Sequence, residues 1–182
     1  PGFWGNSSMD TGLLDNYRFV TRYNRWINER LYVACEQLSD AERKQDRGAF
    51  FGSIHRTLNH LVVTDQVWLR RFARSGVENG LRFEMLEGDL ITIPEACQLD
   101  AVPFDDWAAL KAKRIQLDDA IQSWTAGMPA DYPLMQMGYC NSRGTRRDHP
   151  VWQAMTHLFN HQTHHRSQVI TLLTQAGVDI GV

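Results

Sequence analysis

The placement of proline and glycine constrains this chain more than any other feature. Four segments, Thr11–Leu38, Ser53–Arg74, Phe104–Trp124 and Pro150–Ala176, hold no proline beyond the first position and no glycine except Gly12. Each repeats apolar residues every three or four positions, the period of an amphipathic helix. In the first segment these are Leu14, Phe19, Tyr23, Trp26, Ile27, Leu31 and Leu38; in the second, Ile54, Leu58, Leu61, Trp68 and Phe72. Gly76, Gly127 with Pro129, and Gly177 stand where the second, third and last helices should stop. Asp105 and Asp106 fall in the first turn of the third, where the macrodipole favours them, and Asp148-His149-Pro150 opens the last, with proline at its first position.

The spaces between are equally informative. Residues 39–50 are charged and read as a connection, whereas residues 77–103, with Gly80, Gly88, Pro94 and Pro103, exclude one long element and read as an irregular crossover. YPLMQMGY and NSRGTRRD suggest two short strands around a turn at Asn141 to Gly144. The expected fold is therefore all-α: a four-helix bundle with a long crossover and a short β-hairpin before the last helix. A chain of 182 residues supports one such domain, taken as 9–182. Residues 1–8 precede Met9 and read as sequence appended to a native start there.

Composition excludes several classes. No apolar run approaches the roughly 20 residues that span a bilayer, so no membrane span is expected. A net charge of -2 gives no basic excess of the kind that drives phosphate binding, so nucleic acid is not an expected ligand. The clusters Arg70, Arg71, Arg74 and Arg143, Arg146, Arg147 read first as solvated faces. Three widely spaced cysteines, Cys35, Cys97 and Cys140, indicate neither a disulfide framework nor a cysteine metal knuckle, and suit a reducing, cytoplasmic setting.

The last helix carries the chemistry. His161 and His165 are four apart, hence within about 40° of each other on a helix. Ala154, Leu158, Val169, Leu172 and Ala176 fall on the same side, so the pair sits in the stripe that should face the core. Two imidazoles buried together need partners, because an unsatisfied polar group costs about 1–3 kcal/mol. Hydrogen bonds to neighbouring carboxylates or carbonyls would serve, and so would a divalent cation. A metal needs a third protein ligand. His60, about two turns into the second helix, is the candidate, but it lies off the centre of its apolar stripe, and periodicity alone does not prefer it to His55. His157, one turn before His161, and Asp65, a carboxylate among apolar residues, are candidates to orient the ligands from behind; for Asp65 a salt bridge at the bundle edge is an equal alternative. Gln162 stands where a zinc-protease helix has its general base, which disfavours peptidase chemistry. Three neutral histidines leave a metal its full charge and an open position, suited to lowering the pKa of a water or holding a thiolate. Trp152, Phe159 and Ile170 lie opposite His161, so this helix needs cover on both sides, from within the monomer or from a second copy in a homodimer.

YNRWINERL in the first helix, GAFFGSIHRTLNHLVVTDQVWLRRF in the second and HLFNHQTHHRSQVITLLTQAG in the last together resemble the DinB family of four-helix-bundle proteins, related to YfiT-like metal-dependent enzymes, from about Leu13 to Gly177. The resemblance implies a divalent metal, nickel or zinc, held by one histidine of the second helix and an H-x3-H pair of the last. By motif these are His60 in TLNHL and His161 and His165 in NHQTHHR. Ser167 departs from the glycine common after HHR. The resemblance also implies a homodimer and either a metal-dependent enzyme, acting on a small-molecule substrate as a hydrolase or a low-molecular-weight-thiol S-transferase, or a metal-binding stress or damage-inducible protein without turnover. An enzyme should pair an open coordination position with a pocket of a few hundred cubic ångströms; a binder should lack the pocket.

Overall fold

The computed structural model describes residues 12–93, 98–141 and 143–181. Residues 1–8, Met9, Pro94 and Cys97 lie outside them; Cys35 and Cys140 are free thiols. The helices are α1 (Leu13–Cys35), α2 (Asp40–Lys44), α3 (Ile54–Glu78), α4 (Trp107–Gly127) and α5 (Val151–Gln175), and two strands, β1 (Gln136–Cys140) and β2 (Arg146–Pro150), pair antiparallel between α4 and α5. No described helix is long and apolar enough to cross a membrane.

Local chemistry accounts for most boundaries. Ser53 and Asp106 cap α3 and α4 by accepting from the amides of Arg56 and Ala109. The short α2, which the charge of its segment hides, begins with a capping box in which Ser39 and Glu42 satisfy each other's backbone. Gly177 at φ +80° closes α5, with the Val178 amide reaching back to the Leu173 carbonyl. Two expectations fail. Gly76 does not stop α3; it lies inside the helix, where an added Cβ would sit 2.7 Å from the Phe83 ring, so its role is close packing. Pro150 is not the first helical residue but the last of β2 and the N-cap of α5, because Val151 donates its amide to Met135 across the hairpin.

Packing pairs α1 with α4 and α5, and α3 with α4 and α5. Contacts between Asn24 and Asp118, and between Glu36 and Lys111, run α1 antiparallel to α4. Those of Tyr17 with Trp152 and of Asn24 with Arg166 make α1 parallel to α5. Asp65 against Arg114 and Phe72 against Trp124 make α3 parallel to α4. Parallel neighbours require a connection that returns the length of the bundle. Of this connection, residues 79–93 hold two 3-10 turns, and residues 98–106 bring Phe104 beside α3, where its carbonyl accepts from His55 and Asn59 near the helix start. The crossover therefore passes the N-terminal half of α3, where His60 lies.

The apolar stripes of α3 and α5 are buried as their periods predict, with Leu58, Leu158, Val169 and Phe72 at zero exposure. Each such side chain contributes roughly 1.5–3 kcal/mol. Phe72, Phe83, Trp124 and Tyr132 pack together and close the end of the bundle away from His60. The first helix departs from expectation: Tyr23 is 37% exposed, and the buried line instead runs through Tyr17, Thr21, Asn24, Asn28 and Leu31. Asn24 and Asn28 meet polar partners inside, described below. α1 also covers the far side of α5, where Phe159 is buried and stacks on Tyr17. Cover from within the monomer thus accounts for Phe159, and Trp152, 37% exposed, is what remains of the sequence argument for a second copy.

Candidate metal centre

Antiparallel packing of α3 on α5 places His60 opposite the pair four residues apart on α5. The ligating nitrogens of His60, His161 and His165 lie within 4.8 Å of one another, and the ring centroids of His60–His165 and His161–His165 are 4.6 and 4.4 Å apart. His55 is elsewhere, buried and bonded through Nε2 to the Phe104 carbonyl.

The hydrogen bonds determine where the lone pairs are. A carbonyl can only accept, so the 2.6 Å contact of His60 Nδ1 with the Leu99 oxygen puts the proton on Nδ1 and leaves Nε2 bare. Gln168 Oε1, 2.8 Å from His165 Nδ1, does the same for that ring. Burial lowers the pKa of His60 and His165, and lowers His161 to about 3 with help from neighbouring His165 and His60. At neutral pH all three are uncharged, as metal ligands must be.

His161 then faces a conflict. Its Nε2 is 3.2 Å from the bare Nε2 of His60, and its own Nδ1 is buried without a partner among the described residues. With the proton on Nε2, Nδ1 is an acceptor with no donor; with the proton on Nδ1, two lone pairs confront each other. A cation between the two Nε2 atoms removes that confrontation. At metal–nitrogen distances of about 2.0–2.1 Å, two ligands of a tetrahedral ion stand about 3.4 Å apart, close to the separation found. The residues fit a divalent metal.

The surroundings give the cluster an aromatic neighbour and an opening. A turn with Gly48 at φ +70° and Gly52 at φ +79°, conformations that favour glycine, presents Phe51 to the cluster. The Phe51 ring stacks on His60 at 4.1 Å and tilts against His165 at 5.4 Å. Phe51 also lines, together with His60 and His161, a cavity of about 1020 Å³. The cavity extends past His157, which stacks on His161 at 5.9 Å and tilts against Trp68 at 5.0 Å, toward the hairpin.

Neither residue expected behind the ligands is bonded to them. His157 is an exposed ring of the cavity wall. Asp65 is fully buried and ion-paired 2.6 Å from Arg114, so its salt bridge lies in the interior and not at the bundle edge. Arg114 also meets Asp118 at 3.0 Å, Asp118 accepts from Asn24 and Asn28, and Arg166 donates to both asparagines. The groups that do orient the histidines, the Leu99 carbonyl and Gln168, escape sequence reading in the first case because any residue supplies a carbonyl. Gln168 was detectable, three residues beyond His165 on the same helical face. Phe51, in the quoted GAFFGS, had no periodic signal.

A sequence model of the DinB family matches residues 13–181. Protein DinB of Bacillus subtilis (strain 168) is 23% identical over 155 residues, which cover 85% of this chain and 83% of that protein. No solved structure matches the chain.

Proposed function

Because the chain belongs to the DinB family, we propose that it binds a divalent cation through His60, His161 and His165 and acts with it as an enzyme on a small molecule. The observation that carries this reading is the meeting of three neutral imidazoles whose remaining nitrogens include two already committed to Leu99 and Gln168. Nickel and zinc both suit such a set of nitrogen donors. The cation, when bound, supplies Lewis acidity toward a water or a low-molecular-weight thiol.

The chain's own residues then have distinct tasks. Leu99 and Gln168 hold two rings in one tautomer and orientation, which raises their basicity as ligands. Phe51 covers one face of His60 and excludes water there. The cavity beside His60 and His161 admits a small molecule, and a pocket of that size favours turnover over storage of metal.

The test is elemental analysis of the purified protein beside His60→Ala and His161→Ala. Near-stoichiometric nickel or zinc in the parent and background levels in both variants support the site; equal metal in all three removes it. With the site established, turnover of a thiol or ester substrate that survives removal of the metal by chelation would remove the metalloenzyme.

A further inference from the structure

The cavity that begins at His60 and His161 ends on two arginines. Arg71 sits eleven residues beyond His60 on α3, about 16 Å along the axis. Its guanidinium lies over the Trp68 ring at 4.7 Å and the Tyr139 ring at 4.5 Å, and donates to the Cys140 carbonyl at 3.1 Å. Arg147 is paired with Tyr139 in the hairpin register and lines the same cavity.

Among the described residues neither arginine has a carboxylate partner, whereas Arg25, Arg74, Arg82, Arg114 and Arg146 all do. Arg71 is partly buried, and burial disfavours a cation without a counter-charge. The two rings fix its plane and leave N–H groups for a further acceptor. The carboxylate that does line the cavity, Asp100, follows Leu99, which holds His60, so it belongs to the histidine end. Between the two ends the wall is a ladder of rings, His161 to His157 to Trp68.

We propose that Arg71 and Arg147 form an anion subsite, and that the cavity takes an elongated small molecule with a carboxylate or phosphate on these guanidiniums, a flat or apolar middle along Trp68 and His157, and its reacting end at the three histidines. The last part rests on the metal reading above; the anion subsite does not. Specificity for acids comes from the arginines, because the ring ladder and a neutral imidazole cluster provide no charge for a substrate to match.

Three thiols of one length test it: 8-mercaptooctanoate, 8-mercaptooctyl phosphate and 8-mercaptooctan-1-ol, titrated calorimetrically into metal-free and cobalt-loaded protein. At least one anion binds about tenfold or more tightly than the alcohol, the scale of a charge-assisted pair, and the better of the two anions identifies the natural head group. In Arg71→Gln that preference falls to within about twofold, and in Arg147→Gln, an exposed position whose replacement leaves the core untouched, it falls partway. Equal binding of acid, phosphate and alcohol, or a preference that persists in the double variant, overturns the subsite. The cobalt spectrum keeps the two readings apart. No thiolate-to-cobalt band with any of the thiols strikes at the metal end alone, while the anion preference in the metal-free protein still decides the arginine end.

Discussion

Two polar clusters are buried on neighbouring turns of the same two helices, and they are built on opposite rules. Asp65 on α3 and Arg166 on α5 belong to a network with Arg114, Asp118, Asn24 and Asn28 in which two cations and two anions answer each other across all four long helices. His60 on α3 and His161 and His165 on α5 carry no charge, converge on lone pairs and leave a nitrogen without a partner. Burial holds Arg166 down to about 10 without discharging it, whereas it empties His161 of its proton. The first cluster is complete in charge within the protein, although Asp65 Oδ1 and Arg114 Nε have no hydrogen-bond partner among the described residues, and it ties the helices in register; the second has no charge to balance and is complete only with something added. Nearness in the fold thus says little about role, and the balance of donors, acceptors and charges says much.

The largest effect should come from unbalancing the complete cluster. Arg114→Met leaves Asp65 and Asp118 as buried carboxylates without their cation and should cost about 3–5 kcal/mol in urea unfolding, enough to unfold a marginal domain. A loss below about 1 kcal/mol would mean that the network is solvated and the contrast mistaken. The corresponding cut in the open cluster should behave differently. His161→Ala changes the stability of chelated protein by about 1–2 kcal/mol, since it removes a ring that was itself unsatisfied. Adding metal at a hundred times its dissociation constant should stabilise the parent by about 2.7 kcal/mol and the variant not at all.

Acid should separate the clusters by sign. His55, His60, His161 and His165 have lowered folded pKa values, each through burial, so the stability they confer is full above about pH 6.5 and is lost as the pH falls, when the unfolded chain takes protons that the folded one refuses. For His161 the loss continues down to about pH 3. Asp118 works the other way: burial raises its carboxyl to about 6 against the pull of Arg114, so the folded state takes that proton first and gains stability between about pH 6 and pH 4. Chelated protein should therefore lose stability on acidification by up to about 1.4 kcal/mol per pH unit for each histidine still untitrated. The slope should be shallower in His161→Ala and steeper in Asp118→Asn; identical slopes would show that neither cluster controls the acid limb.

The difference between the clusters also marks what the sequence made legible. Helix positions followed from proline, glycine and period, and the site histidines from their place in an apolar stripe and a family motif. The complete network was hidden because its members read as ordinary helical polar residues. Asn24 with Asn28 and Arg114 with Asp118 are i,i+4 pairs that suit an exposed face equally well, and only the packing of α1 against α4 turns them inward. Asp65 was visible as an anomaly, but its partner sits 49 positions away on a helix whose rotation the sequence leaves open. Leu99 was out of reach for another reason: the crossover has no period, so the carbonyl it brings to His60 follows from a path set by the parallel packing of α3 and α4.

The smallest effect is the sharpest test of how the open cluster is held. Gln168 accepts from His165 Nδ1 on its own helix and touches nothing in the complete network. Gln168→Ala frees that ring to rotate or change tautomer, so metal affinity in competitive titration should fall about tenfold, the lower range for a residue that orients a ligand. Unfolding of the chelated protein should move by no more than about 0.5 kcal/mol, because the side chain is half-exposed and solvent replaces its bond. Gln168→Glu keeps the acceptor and should restore the affinity. If alanine leaves affinity unchanged, the tautomer of His165 is set by the cation itself, and the chain supplies converging rings without preparing them.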